Sequence, residues 1–88
     1  MQAAQVTRIG TQVVVRLTGR LGDAEAAVLE QAYVEVCELA SSLVAVDLED
    51  AELIGGAGLD FIDLLRTRWR VKLLNAPLGL RAQVVRTG

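Results

Sequence analysis

Leu43-Val44-Ala45-Val46-Asp47-Leu48 is the stretch on which the fold turns. It is rich in aliphatic and β-branched side chains and does not alternate apolar with polar, the pattern of a strand covered on both faces in the middle of a parallel sheet. Such a strand needs a crossover on either side, and its neighbours supply two. Upstream, Ala26-Ala27-Val28-Leu29 opens a helix that runs to about Ala40. Leu29, Ala32 or Tyr33, Val36, and Leu39 or Ala40 recur there at helical spacing, leaving Glu25, Glu30, Gln31, Glu35 and Glu38 for the solvent side. Asp23 stands where an N-cap belongs, with Ala26 in place of a capping-box Glu. Downstream, Glu49 to Ile54 reads as a loop and Gly55-Gly56-Ala57-Gly58 as a tight entry into a second helix, from about Ala57 to about Thr67. Leu59, Phe61, Ile62, Leu64 and Leu65 form its buried side, and Asp60, Asp63, Thr67 and Arg70 share a polar stripe.

Further out, Val6-Thr7-Arg8-Ile9 and Gln12-Val13-Val14-Val15-Arg16-Leu17-Thr18 predict a hairpin turning at Gly10-Thr11. Val13, Val15 and Leu17 lie on one face of its second strand, and Gly19-Arg20-Leu21-Gly22 ends that strand. Arg70-Val71-Lys72-Leu73-Leu74 is a short strand and Asn75-Ala76 a turn. Pro77 suits the first position of a last helix that carries Leu80, Val84 and Val85. The order is ββαβαβα, an α/β class with a mixed four-stranded sheet and packed helices, and residues 1–88 read as one domain.

Composition narrows the function. Of the 88 residues, 52% are hydrophobic and 23% charged, which is globular rather than disordered, and so short a chain builds one core. A net charge of −2 and the lack of basic runs argue against nucleic acid. Apolar stretches are too short to span a bilayer, and Met1-Gln2-Ala3-Ala4-Gln5 has no secretory character, so the cytoplasm is expected. Without histidine there is neither a thiolate–imidazole pair for Cys37 nor a Ser-His-Asp triad nor a His-based zinc site. Cys37 and Trp69 read as packing residues, and no enzyme activity, metal or cofactor is expected.

The run Leu17-Thr18-Gly19-Arg20-Leu21, then Val46-Asp47-Leu48, then Leu53-Ile54-Gly55-Gly56-Ala57-Gly58-Leu59, then Val71-Lys72-Leu73-Leu74-Asn75-Ala76-Pro77 resembles the STAS family across roughly residues 6 to 88. That family includes bacterial anti-sigma factor antagonists, stressosome subunits, tails of anion transporters and a small subunit of a lipid-transport ABC complex. Its members usually write the loop before the second helix as Asp-Ser-Ser-Gly, the first Ser taking phosphate from a partner kinase. Here those positions are Gly55, Gly56, Ala57 and Gly58, so phosphotransfer at Gly56 is chemically impossible. The second helix and its following loop are also shorter than is usual for the family. The resemblance implies a bacterial protein-interaction module like an anti-sigma factor antagonist, whose partner is an anti-sigma factor or kinase. It equally allows a structural adaptor seated on a transporter ATPase or a stressosome. The implied docking surface is Gly55, Gly56, Ala57, Gly58, Leu59, Asp60, Asp63 and Arg66.

A third reading comes from the residues themselves. A glycine loop at a helix N-terminus offers exposed N–H groups to an anion, which would make the chain a small-molecule or anion sensor. The loop lacks both the Lys-Ser/Thr of a P-loop and the spacing of a dinucleotide fingerprint, so a strand-to-helix turn explains it as well. Asp47, Glu49, Asp50 and Glu52 do not match a calcium loop and read as a solvated acidic rim. Asp60 and Asp63 read as surface acids paired with Arg66 and Arg70.

Overall fold

A computed structural model describes residues 3–39 and 42–76. Strands β1 (Ala4–Ile9), β2 (Gln12–Leu21), β3 (Leu43–Leu53) and β4 (Arg70–Leu74) form one sheet in the order β1-β2-β3-β4, with helices α1 (Ala26–Leu39) and α2 (Ala57–Arg66) between the later strands. β1 and β2 pair antiparallel through a turn in which Gly10 takes a φ of 63°, a value a side chain resists. β2, β3 and β4 are parallel neighbours in chain order. Two crossovers stepping in one direction across a sheet, both right-handed, place their helices on the same face. That is where α1 and α2 lie. Leu29, Ala32 and Val36 from α1 and Phe61, Ile62 and Leu65 from α2 share a core with Val13, Val15, Leu17, Leu21, Val44, Val46 and Leu48 of the sheet. The expected α/β class and mixed sheet are therefore present, and the interior position of Leu43–Leu48 is as its apolar run requires. The last helix expected from Pro77 lies outside the described residues.

Both central strands are longer than their sequences indicate. Gly19-Arg20-Leu21 does not end β2, and Glu49 to Leu53 is not a loop but the second half of β3. Arg16 pairs with Asp47, yet Thr18 pairs with Asp50, so β3 carries one extra residue. A bulge of this kind shifts the side-chain alternation by one place. Val44, Val46 and Leu48 face the helices before it, whereas Ala51 and Leu53 pack toward the core after it. The broken period hides the strand. Gly19, with a φ of 83°, continues β2 opposite Ala51.

One member of the expected acidic rim, Asp47, departs from it. Asp47 is 8% exposed, and its Oδ1 accepts hydrogen bonds from the Glu49 N–H at 3.0 Å and from Asn75 Nδ2 at 3.2 Å. Arg16 Nη2 lies 3.5 Å from Oδ2. These bonds, with the backbone amide of Glu49 contributing most, hold the Asp47 carboxyl below the usual carboxylate range. Asp47 thereby ties β2, β3 and the turn after β4, where Asn75 has a φ of 58°. Glu49, Asp50 and Glu52 are exposed, and Glu52 lies 3.7 Å from Arg20 across the strands.

The helix ends differ from expectation in instructive ways. Asp23 does not cap α1. Gly22, one residue earlier, caps a short 3₁₀ turn, Asp23–Glu25, that precedes Ala26. Glu25 Oε1 accepts from the Gly22 N–H at 2.8 Å while the Glu25 N–H donates to the Gly22 carbonyl at 3.0 Å, which satisfies two terminal groups reciprocally. Asp23 is left facing solvent. Leu64, read as buried, is exposed, as is Leu39, the alternative to Ala40 in the helical spacing, and Cys37 is exposed rather than packed. Trp69 does pack against the core, edge-on to Tyr33 with ring centroids 5.9 Å apart. Arg68 sits 5.1 Å over the Trp69 ring and extends Nη1 to Tyr33 Oη and Cys37 Sγ, both at 3.4 Å, joining the end of α2 to α1.

Candidate functional site

Parallel strands that feed helices on one face bring the N-termini of those helices to the same edge, outside the carboxyl ends of the strands. In open α/β sheets ligands bind outside the carboxyl ends of the strands. Here β2 ends at Leu21 and β3 at Leu53, and the Ile54 N–H still donates to the Leu21 carbonyl at 2.9 Å, holding the two strand exits together. Gly22-Asp23 and Gly55-Gly56 therefore leave the sheet side by side.

The glycine loop is built from three different demands. Gly55 adopts a φ of 74°, the left-handed region where a β-carbon is costly. Gly56 is the N-cap of α2 with an ordinary negative φ of −100°, and its carbonyl accepts the first helical bond from the Asp60 N–H at 2.8 Å. Gly58 is buried, and a β-carbon there would stand 2.6 Å from Leu53 Cδ2, so its absence lets α2 settle on β3. Only the first two glycines are at the surface.

Two carboxylates flank this loop. A β-carbon on Gly55 would lie 3.8 Å from Asp23 Oδ1, and one on Gly56 would lie 3.8 Å from Asp60 Oδ2. Asp60, in the first turn of α2, opposes the positive end of the helix dipole. The position that offers N–H groups to an anion is thus already faced by the chain's own negative charges. Among the described residues, no three acidic or cysteine side chains converge to hold a metal ion.

Of the surface expected from sequence, Gly55, Gly56, Asp60 and Asp63 are exposed, Ala57, Leu59 and Arg66 are half-buried, and Gly58 faces inward. Asp63 and Arg66 lie further along α2, away from the loop. Sequence reasoning missed Asp23, which it assigned to a cap. It also missed the cleft of about 620 Å³ between the two helices, lined by Asp23, Ala26, Leu29, Glu30, Tyr33, Ala57, Asp60, Phe61 and Leu64. Its signal lay in the pairing of two helices on one face, which the strand order dictates.

No family model matches the sequence, and no curated protein does. Solved structures match the fold. The anti-sigma factor antagonist SpoIIAA in its unphosphorylated form superposes with a TM-score of 0.71 at 20% identity, over 98% of this chain and 84% of that one. The Bacillus cell fate determinant SpoIIAA in its phosphorylated form gives 0.65 at 20% identity, with the same coverage of 98% and 84%. Mglu gives 0.69 at 18% identity over 86% of this chain, which spans only 20% of that longer one. At such identities the likeness is one of fold, and it is the STAS-type fold that the sequence resemblance implies.

Proposed function

We propose that this chain is a non-catalytic protein-interaction module of the anti-sigma factor antagonist kind, working in the cytoplasm without phosphorylation of its docking loop. The observation that carries this reading is the pair Asp23 and Asp60 beside an exposed, hydroxyl-free turn at Gly55-Gly56. Where the family resemblance places a phosphorylated serine, Gly56 has no group to accept phosphate. A phosphate would add nearly two negative charges on demand. Asp60 instead supplies a fixed one, so the charge of this surface is constant.

The docking surface comprises Gly55, Gly56, Ala57 and Leu59 for close approach, with Asp60, Asp63 and Arg66 as polar contacts. Its partner on this reading is an anti-sigma factor or related kinase. The anion-sensor reading is disfavoured by the same two carboxylates, which repel the ligand it needs. Affinity capture from the cytoplasm of the source organism, with and without ATP, tests the proposal. A kinase-like partner retained by the wild type and lost by Asp60→Lys/Asp63→Lys supports it. A transporter ATPase held in fixed stoichiometry replaces the antagonist with an adaptor. Retention of the same partner by both proteins removes this surface from consideration.

A further inference from the structure

Charge and apolar surface are arranged in the α1–α2 cleft in a way the loop alone does not explain. Its floor is apolar: Leu29 and Phe61 are buried, Tyr33 and Ala57 half-buried, and Leu64 leaves 46% of its surface in water. Among the described residues, the charged groups that line it are acidic, with Asp23 at one end, Glu30 on α1 and Asp60 on α2, while Arg68 closes the Tyr33 end from outside the lining. Asp23, Ala26, Glu30, Asp60 and Leu64 of its lining are exposed to solvent, whereas a small-molecule site buries most of its ligand. A solvent-facing trough between two packed helices accepts a rod. α2 has ten residues, which at 1.5 Å per residue sets a rod of roughly 15 Å, about three turns of helix.

We propose that this cleft receives an amphipathic helix of a partner protein, apolar on the side that meets Leu29, Phe61 and Leu64 and bearing lysine or arginine along both flanks. The apolar anchors fill the floor in the manner of helix-in-groove recognition. The basic flanks answer Glu30 on one side and Asp60 on the other, and Asp23 favours a further cation where the occupant passes the glycine loop. The acidic lining disfavours anionic membranes and phosphate-bearing ligands. The inference rests on the docking reading above and gives that partner a chemistry.

The probe is a fluorescein-labelled peptide of about four helical turns, with leucines at i, i+3, i+4 and i+7 and lysines elsewhere. A control keeps the leucines and replaces every lysine with glutamate. Fluorescence anisotropy is read against the full chain, with circular dichroism to verify that each variant is folded. The Leu/Lys peptide should bind and the Leu/Glu peptide should not. Leu64→Glu and Glu30→Lys, both at exposed positions, should each weaken binding about tenfold or more, equivalent to roughly 1.4 kcal/mol. Asp50→Lys, on the second half of β3, should leave it unchanged. Equal binding of both peptides overturns the proposal, as does an equal loss in Asp50→Lys, which would mean that net charge alone attracts the peptide. Glu30 and Leu64 lie outside the loop surface, so the two readings can fail separately. A natural partner retained by Glu30→Lys/Leu64→Glu sinks the cleft and leaves the loop standing. Peptide capture by a chain that retains no natural protein sinks the docking reading instead.

Discussion

Replacing Asp47 by Ala or Asn tests the clamp on the sheet's outer face. In the wild type one carboxylate serves three donors: the Glu49 amide, Asn75 Nδ2 and Arg16. Their values are unequal. Arg16 has a side chain 56% exposed and sits at 3.5 Å, so it contributes little, as surface ion pairs do. The Glu49 amide, part-buried in the bulge, gives the carboxylate its shortest bond, at 3.0 Å. The bond from Asn75, at 3.2 Å, holds a turn whose φ of 58° Asn tolerates better than most residues, so its loss frees the end of β4. Counting one charge-assisted bond in full, Asp47→Ala should cost about 2 kcal/mol. For a domain of this size that lowers the melting temperature by about 8–16 °C. Asp47→Asn keeps an acceptor and loses only the charge, so it should cost about half as much. The pH dependence follows from the depressed folded-state pKa of Asp47. The unfolded chain then takes up its proton first as pH falls, near a typical Asp value of about 3.9. Stability from Asp47 is complete above that value and disappears as pH falls through the lower, folded one. Urea titrations of wild type and Asp47→Asn should therefore differ at pH 7 and converge in acid. A difference that persists unchanged at pH 2.5 would refute the clamp.

The glycine loop yields a contrast between neighbours. Gly55→Ala should cost about 1–2 kcal/mol because its φ of 74° is left-handed, and Gly56→Ala less than about 0.5 kcal/mol, both read from thermal melts. Gly58→Val should lose about 1–3 kcal/mol in urea despite a better helix propensity, since even a β-carbon there meets Leu53 at 2.6 Å. Equal midpoints for Gly58→Val and wild type would show that α2 does not seat on Leu53. Arg68→Met should leave the fold intact by circular dichroism and change the emission of Trp69, the chain's single tryptophan, because the guanidinium lies over its ring.

How much of this could be read from the chain depends on where periodicity survives. Val13, Val15 and Leu17 keep strict alternation and lie in the core as read, and the unbroken run Val44–Leu48 gives its own central position away. Reading fails where one residue changes the period. The bulge after Asp47 makes Glu49–Leu53 look like a polar loop, and with that half-strand lost, the pairing of Arg20 with Glu52 is invisible. The capping error has a similar origin. Asp23 is the better cap by residue type, but the reciprocal bonds of Gly22 and Glu25 win the position and release Asp23 to the loop. Gly55 and Gly56 were legible as a turn from composition alone. That two carboxylates face them was not, because Asp23 reaches the site from a different crossover.

The most direct test of the account is a binding titration of the captured partner against the wild type, Asp60→Lys/Asp63→Lys and Gly56→Ser, each with and without ATP. The wild type should bind equally tightly in both conditions, the double charge reversal should bind at least about tenfold more weakly while remaining folded, and only Gly56→Ser should become sensitive to ATP through modification of the loop. Wild-type affinity that persists through the charge reversal, or wild-type binding that is lost through phosphorylation when ATP is added, would contradict the docking proposal.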